Sequence, residues 1–307
     1  MSRTLLFPAL LLLAASPAVA QQSSRRDRDD DYESRVDTVI NFDRRGTVAL
    51  SLGGGQIIVT SWDRPQVRVR ARSERSAIRV DATAGRLTVD IARSRGGEST
   101  FEVTVPTGVQ VSARATTGDI SVTGTKGIVE AGSQSGDITV DDAAERVELR
   151  SLSGDITGRN LAGIVEVNSL SGDIDLTNIR GDVEASGVSS DVELRNITSR
   201  YVRAKTTSGD ITFDGTIDNT GRYDLGSHSG SVYLVIPSNT GALLTVSTYN
   251  GSIDSPDFPI TLKPGDHGIS STRRYSFEIG KGDARISAES FSGDITIRSK
   301  ARLTTDR

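Results

Sequence analysis

Apolar and polar residues alternate in steps of two along most of this chain, and glycines punctuate the alternation at a fixed interval. Gly118, Gly136, Gly154 and Gly172 stand 18 residues apart, in ATTGDISV, SQSGDITV, SLSGDITG and SLSGDIDL. Two residues after each turn position comes an apolar side chain: Ile120, Ile138, Ile156, Ile174, Val192, Ile211, Val232, Ile253 and Ile295. Four residues after it there is usually another, with Gly158 an exception. Seven and five residues before it run pairs such as Val129 and Ala131, Val147 and Leu149, and Val165 and Val167. Steps of two put side chains on one face of a strand, whereas a helix needs steps of three and four. Each unit therefore reads as strand, tight turn at S-G-D, strand and looser corner. Strands this short cannot bury an apolar face alone, so each unit must stack on its copies. The pattern predicts an all-β parallel β-solenoid (a β-helix) of about 18–21 residues per repeat with degenerate end repeats. The handedness preference of parallel crossovers makes it right-handed.

The turn carries the most regular chemistry. Its glycine suits a corner with positive φ, and the following aspartate can accept from nearby backbone N–H groups as an Asx-type turn. The glycine–aspartate ladder comprises Gly118, Asp119, Gly136, Asp137, Gly154, Asp155, Gly172, Asp173, Asp191, Gly209, Asp210, Gly293 and Asp294. Carboxylates one rung apart repel by about 3–4 kcal/mol at an effective dielectric of 20. Backbone N–H bonds, interleaved cations or a metal must offset that. One carboxylate per rung falls short of the six to eight oxygens of a Ca²⁺ site, so the ladder reads as structural, with no metal or cofactor. Three residues before the glycine runs a column of small residues, Ser133, Ser151, Ser169, Gly187, Thr206, Ser227, Thr248 and Ser290, facing inward where the chain closes on itself.

Toward both ends the unit degenerates. Gly55 and Gly85 read as irregular copies, with extra strands inserted at 67–71 and 101–105, and Trp62 lies at a corner as a packing residue over the N-terminal end. Irregular end repeats blunt what would otherwise be a template for further pairing. Beyond Gly187 the repeat drifts: Ser190 stands where a glycine is expected, and DNTGR at 218–222 reads as a bulge from the looser corner. The period breaks across a Pro- and Gly-rich excursion and returns in ISAESFSGDITI.

The ends outside the repeat read simply. Residues 1–20 form a secretory signal, with Arg3, an apolar run through Leu13 and the small-residue site Ala18-Val19-Ala20. Residues 21–35 form a disordered charged leader, 36–299 the solenoid domain and 300–307 a C-terminal tail. Without the signal, 35 basic residues face 40 acidic ones, a net charge of −5, which argues against nucleic acid as a partner. The same balance and the lack of a second long apolar run predict no membrane insertion after signal removal. The chain has no cysteine, and only 5% of it is aromatic, so the core must be aliphatic and thin.

The segment W-D-x-x-x-V-x-V-x-A at Trp62–Ala71, the iterated SGDI turns and the ending G-x-G-D-A-x-I-S-x-E-S-x-S-G-D-I-T-I together resemble a bacterial envelope family. It is the β-strand-repeat family of unknown function often labelled "putative adhesin". The resemblance spans roughly residues 36–299. It implies the fold and an envelope role, and it brings no catalytic residues.

Two surface features remain. The outward turn column carries Leu152, Leu170, Val188, Tyr249 and Phe291, which form either an exposed contact stripe or a surface that loops fold over. The same column places His228 in solvent, while His267 lies in the excursion. A glycan-acting β-helix enzyme, a polysaccharide lyase or hydrolase, is the rival class. It would need paired carboxylates, or a carboxylate with Arg or Lys, around an aromatic-lined cleft. Here the carboxylates form a uniform ladder, so no catalytic residue is assigned. The expectation is an exported, non-catalytic envelope binding or scaffold protein, periplasmic or at the cell surface, acting as a monomer on an envelope glycan or protein.

Overall fold

The computed structural model describes residues 33–93, 96–258 and 273–300. The signal at 1–20, residues 21–32 of the leader, His267 and residues 301–307 of the tail lie outside the described residues. Among the described residues every regular element is a strand.

At the N-terminal end lie β1 (Ser34–Asn41), β2 (Thr47–Trp62), β3 (Gln66–Ser73), β4 (Ala77–Ala82), β5 (Arg86–Arg93), β6 (Ser99–Pro106) and β7 (Gln110–Thr123). The regular ladder continues through β8 (Val129–Ser135), β9 (Ile138–Asp141), β10 (Arg146–Ser153), β11 (Ile156–Arg159), β12 (Ala162–Ser171) and β13 (Ile174–Thr177). It runs on through β14 (Arg180–Ser189), β15 (Val192–Ser208), β16 (Ile211–Ser229) and β17 (Val232–Pro237). The C-terminal end holds β18 (Ala242–Asn250), β19 (Ile253–Asp254), β20 (Arg273–Ile279), β21 (Ala284–Ser292) and β22 (Ile295–Lys300).

From β7 to β17 each rung pairs in parallel with the next, and like pairs with like. Val129, Val147, Val165 and Val183 form one column, and Ile120, Ile138, Ile156, Ile174 and Val192 another. These side chains are buried in one continuous core, as the period of two requires. Burying each large apolar side chain contributes about 1.5–3 kcal/mol. The exposed ion pairs that decorate the rungs are worth about 0–1 kcal/mol each, so the core dominates.

The looser corner turns out to be a third inward wall. Seven residues after the turn position, Thr125, Ala143, Leu161, Ile179 and Ile197 are buried. This column explains the exception at Gly158. A Cβ there would lie 2.7 Å from Leu176 Cδ2 and 2.9 Å from Leu161 Cδ1, so Leu161 and Leu176 together occupy the space a side chain at 158 would need. The preceding rung reverses the sizes, with Val140 on the strand and the small Ala143 at the corner.

The two ends depart from chain order. Gly85 does not mark a solenoid turn: β4 and β5 form an antiparallel hairpin, with Ala82 opposite Leu87 and Val80 opposite Val89. Too few residues separate the two strands for anything but a hairpin reversal. The inserted strands β3 and β6 pair antiparallel with each other, and β1 pairs with β3. On the ladder's N-terminal side β2 is in register with β7, so that Gly55 faces Gly118, and its other edge is paired by β5 and β6. At the other end, β21 and β22 do not follow β18 and β19 in space. They slot between, with β21 pairing β16 on one side and β18 on the other. In the same way β22 lies between β17 and β19, and β20 closes the edge of β18 antiparallel.

Candidate contact surface at the S-G-D turns

The turn is built by contact between successive rungs. At Gly154, φ is +138°, and an added Cβ would lie 2.4 Å from the carbonyl oxygen of Gly136. Only glycine allows that approach. The serine three residues earlier completes the corner: Ser133 Oγ donates to Gly118 O (3.1 Å), Ser227 Oγ to Gly209 O (2.8 Å) and Ser290 Oγ to Gly230 O (2.9 Å). The drift at Ser190 is a swap. Gly187 replaces the serine of its rung, and a Cβ at 187 would sit 2.7 Å from Ser190 Cβ. One side chain fits that corner, from either position.

The aspartates bond from rung to rung and not in local Asx turns. Each carboxylate accepts from the backbone N–H of the turn residue one rung on: Asp119 Oδ1 from Asp137 N (3.0 Å), Asp137 from Asp155 N (2.9 Å), Asp155 from Asp173 N (2.8 Å) and Asp173 from Asp191 N (3.0 Å). The chain of bonds continues from Asp191 to Asp210 N and from Asp210 to Ser231 N, both 2.7 Å. A charge-assisted bond per rung offsets the repulsion between stacked carboxylates. The reason is reach: a parallel neighbour about 4.8 Å away presents its N–H directly to the side chain. Asp294, which accepts from Ser252 N (2.7 Å) and Ser252 Oγ (2.8 Å), is held below the ordinary carboxylate value by those two bonds, the backbone one first.

A second ladder escaped sequence reading. Asp142, Asn160, Asn178 and Asn196 all have φ between +53° and +59°. The three asparagine side chains bond along the stack, Asn196 Nδ2 to Asn178 Oδ1 (2.6 Å) and Asn178 Nδ2 to Asn160 Oδ1 (3.1 Å). Asparagine tolerates this left-handed backbone. Its signal was present as Asn or Asp six residues after the turn positions Gly136, Gly154, Gly172 and Ser190.

The outward turn column is exposed. Leu152, Leu170, Val188, Tyr249 and Phe291 are each 43–49% accessible, and no described loop covers them. Because β21 lies between β16 and β18, Phe291 sits between His228 and Tyr249. Its ring is 4.8 Å from His228 with planes 9° apart and 4.9 Å from Tyr249 with planes 5° apart. His228 is thus not simply solvated but ends an aromatic stack. Chain order hides that stack, since Phe291 is 63 and 42 residues from its two partners. Beside the aliphatic part of the column a concave surface of about 520 Å³ runs along Arg114, Glu130, Gln134, Arg150 and Leu152. Trp62, at the far end of β2, is half-buried, and its indole N–H donates to Gln66 O (2.6 Å), as a packing residue should.

The family described as Toastrack DUF4097 matches residues 56–298. No curated protein matches the chain. Among solved structures, a "putative adhesin" from Bacteroides fragilis is 14% identical, with 86% of this chain and 97% of that one covered and a TM-score of 0.40. A second, from Parabacteroides distasonis, is 9% identical over 87% and 97% of the two chains, with a TM-score of 0.31. A "putative cell adhesion protein" from Clostridium sporogenes is 11% identical over 88% and 100%, with a TM-score of 0.27. Superpositions that loose carry no argument about this chain.

Proposed function

We propose, for a chain that belongs to the Toastrack DUF4097 family, a non-catalytic binding role in the cell envelope, with a protein as the partner. The observation that carries this reading is the outward turn column. It carries an aliphatic run, Leu152, Leu170 and Val188, and, one rung past Thr207, the ring stack of His228, Phe291 and Tyr249, at one-rung spacing. Contiguous exposed apolar strips of this kind mark contact surfaces. The ring geometry favours protein over glycan. Sugars stack on ring faces, and the faces of Phe291 are occupied by His228 and Tyr249. What the stack presents outward is ring edges in line with Leu152, Leu170 and Val188, which suits another polypeptide's apolar side chains. The sequence features at 1–20 support export of the chain to the envelope.

The test is binding of the chain without residues 1–20 to its own envelope fraction, with the fraction treated beforehand by protease or by periodate. Binding lost after protease, and lost in Leu152→Ser/Leu170→Ser/Val188→Ser, is the expected result. Binding lost only after periodate would replace the protein partner by a glycan. Turnover of a polysaccharide abolished by one point substitution would restore the enzyme reading.

A further inference from the structure

On the outward face of the first-strand sheet, away from the turn column, four arginines surround a cavity of about 510 Å³ at the C-terminal rungs. Arg203 stands on β15, Arg222 on β16, Arg285 on β21 and Arg274 on β20. Arg222 and Arg285 are direct cross-strand partners in the parallel register, which sets their backbones about 4.8 Å apart. Like charges in that position repel and destabilise a sheet.

The carboxylates that line the same cavity are already engaged elsewhere. Asp224 pairs with Lys205 at 3.1 Å and Arg203 at 3.9 Å. Glu289 pairs with Arg274 at 3.6 Å and accepts from Ser287 Oγ at 3.3 Å. Asp283, two residues before Arg285, pairs with neither arginine. Along the strand-to-strand column, Arg222 is followed on one side by Tyr201 and Arg285 on the other by Leu243. Glu278 lies one strand beyond Leu243, opposite it in the antiparallel pairing. Among the described residues neither Arg222 nor Arg285 pairs with a carboxylate, and the two register partners are framed by an aromatic and an aliphatic side chain in a chain whose net charge is negative.

We propose that Arg222 and Arg285 form an anion-binding site for a ligand bearing carboxylate or phosphate groups. The guanidinium fork matches both groups bidentately, and an oxyanion set between two forks removes their mutual repulsion. Arg203 and Arg274 add longer-range attraction from the cavity's flanks, while Tyr201 and Leu243 offer apolar contact to the body of the ligand. This site arises from the same rung intercalation as the aromatic stack, because Arg285 reaches Arg222 only when β21 lies beside β16. It does not depend on the turn column's being a contact surface.

The test uses the chain without residues 1–20 and two probes, pyrophosphate and citrate, at ionic strength matched with sodium chloride. Calorimetric titration and thermal unfolding are the readouts. The expected result is saturable binding of at least one probe with a rise in Tm, and at least tenfold weaker binding in Arg222→Gln/Arg285→Gln. Binding of pyrophosphate alone assigns a phosphate ligand, and binding of citrate alone a carboxylate one. A second variant, Arg285→Glu, should bind neither probe yet melt above the wild type, because it gains a cross-strand pair with Arg222. Absence of binding by both probes, or binding unchanged in the double variant, would overturn the proposal. So would an Arg285→Glu protein that still binds the probe.

Discussion

Between Gly118 and Ser190 a rung's neighbour in space is its neighbour in the chain, whereas at the C-terminal end it is not. In the first region each contact closes a loop of 18 residues, and the same inward columns repeat rung after rung. In the second, Gly293 packs against Gly230 across 63 residues of chain, and β18 with β19 is pushed to the outside. The first arrangement makes stability nearly a sum of unit and neighbour terms. The second ties the end together, since no strand there can be removed without stripping a neighbour of its partner. The aromatic part of the proposed contact column and the Arg222–Arg285 pair both sit where chain order is broken, while Leu152, Leu170 and Val188 sit where it is kept.

The contrast can be tested by cutting each region. Ending the chain at residue 272 removes β20–β22 and strips the partners from β16, β17, β18 and β19. Ile286, Ile295 and Ile297 leave the core, and at about 1.5–3 kcal/mol each the loss should unfold the C-terminal rungs, read as dye binding and rapid proteolysis. Deleting Gly136–Ser153, one whole unit of the regular ladder, should leave circular dichroism per residue unchanged and the fold intact.

Within the regular ladder, Gly154→Ala should cost about 4 kcal/mol, because the new Cβ meets a backbone carbonyl at 2.4 Å. Gly53→Ala, with nothing within 4 Å of the added carbon, is the control and should melt close to the wild type. Leu161→Ala should cost about 3 kcal/mol by leaving a cavity. Adding Gly158→Ala should then recover part of the loss, since the new carbon fills space Leu161 held and the tip of Leu176 can turn into the rest of the cavity. A double-mutant cycle with no coupling would contradict that reading. Asp155→Ala should cost about 1 kcal/mol, one inter-rung bond per substitution, and chelators should leave Tm unchanged.

The smallest effect is a pH dependence. The carboxyl of Asp294 is lowered from its ordinary value of 3.8 by hydrogen bonds from Ser252. A depressed folded-state value means that its stabilisation is complete above about pH 4 and fades as pH falls through the lowered value. Asp294→Asn should flatten the acid side of the stability profile. An unchanged profile would remove Asp294 from the account.

The core columns were legible in the sequence because a period of two and a spacing of 18 both follow from one stacked unit. Ile138, Val147 and Val167 needed nothing further. The hairpin at Gly85 was misread because Ile78, Val80, Leu87 and Val89 alternate equally well in antiparallel and parallel strands. The bonding of the aspartates was misjudged for a related reason. An Asx turn and an inter-rung bond require the same residue, and only the three-dimensional stack decides between them. Periodicity is also silent about the order of rungs when the chain leaves and returns, so neither Phe291 between His228 and Tyr249 nor Arg285 beside Arg222 could be read.

The intercalation of the C-terminal rung is tested most directly by engineered cysteine pairs, since the natural chain has none. Ser229 and Ser292 are register partners, as are Ser292 and Asn250. Ser229 and Asn250 are then two rungs apart, about 9.6 Å from the strand spacing and beyond the reach of about 7 Å for a disulfide. Oxidation should cross-link Ser229→Cys/Ser292→Cys and Asn250→Cys/Ser292→Cys quantitatively and leave Ser229→Cys/Asn250→Cys reduced. Ready cross-linking of Ser229→Cys/Asn250→Cys, with Ser229→Cys/Ser292→Cys left reduced, would show the rungs stacked in chain order and contradict the account.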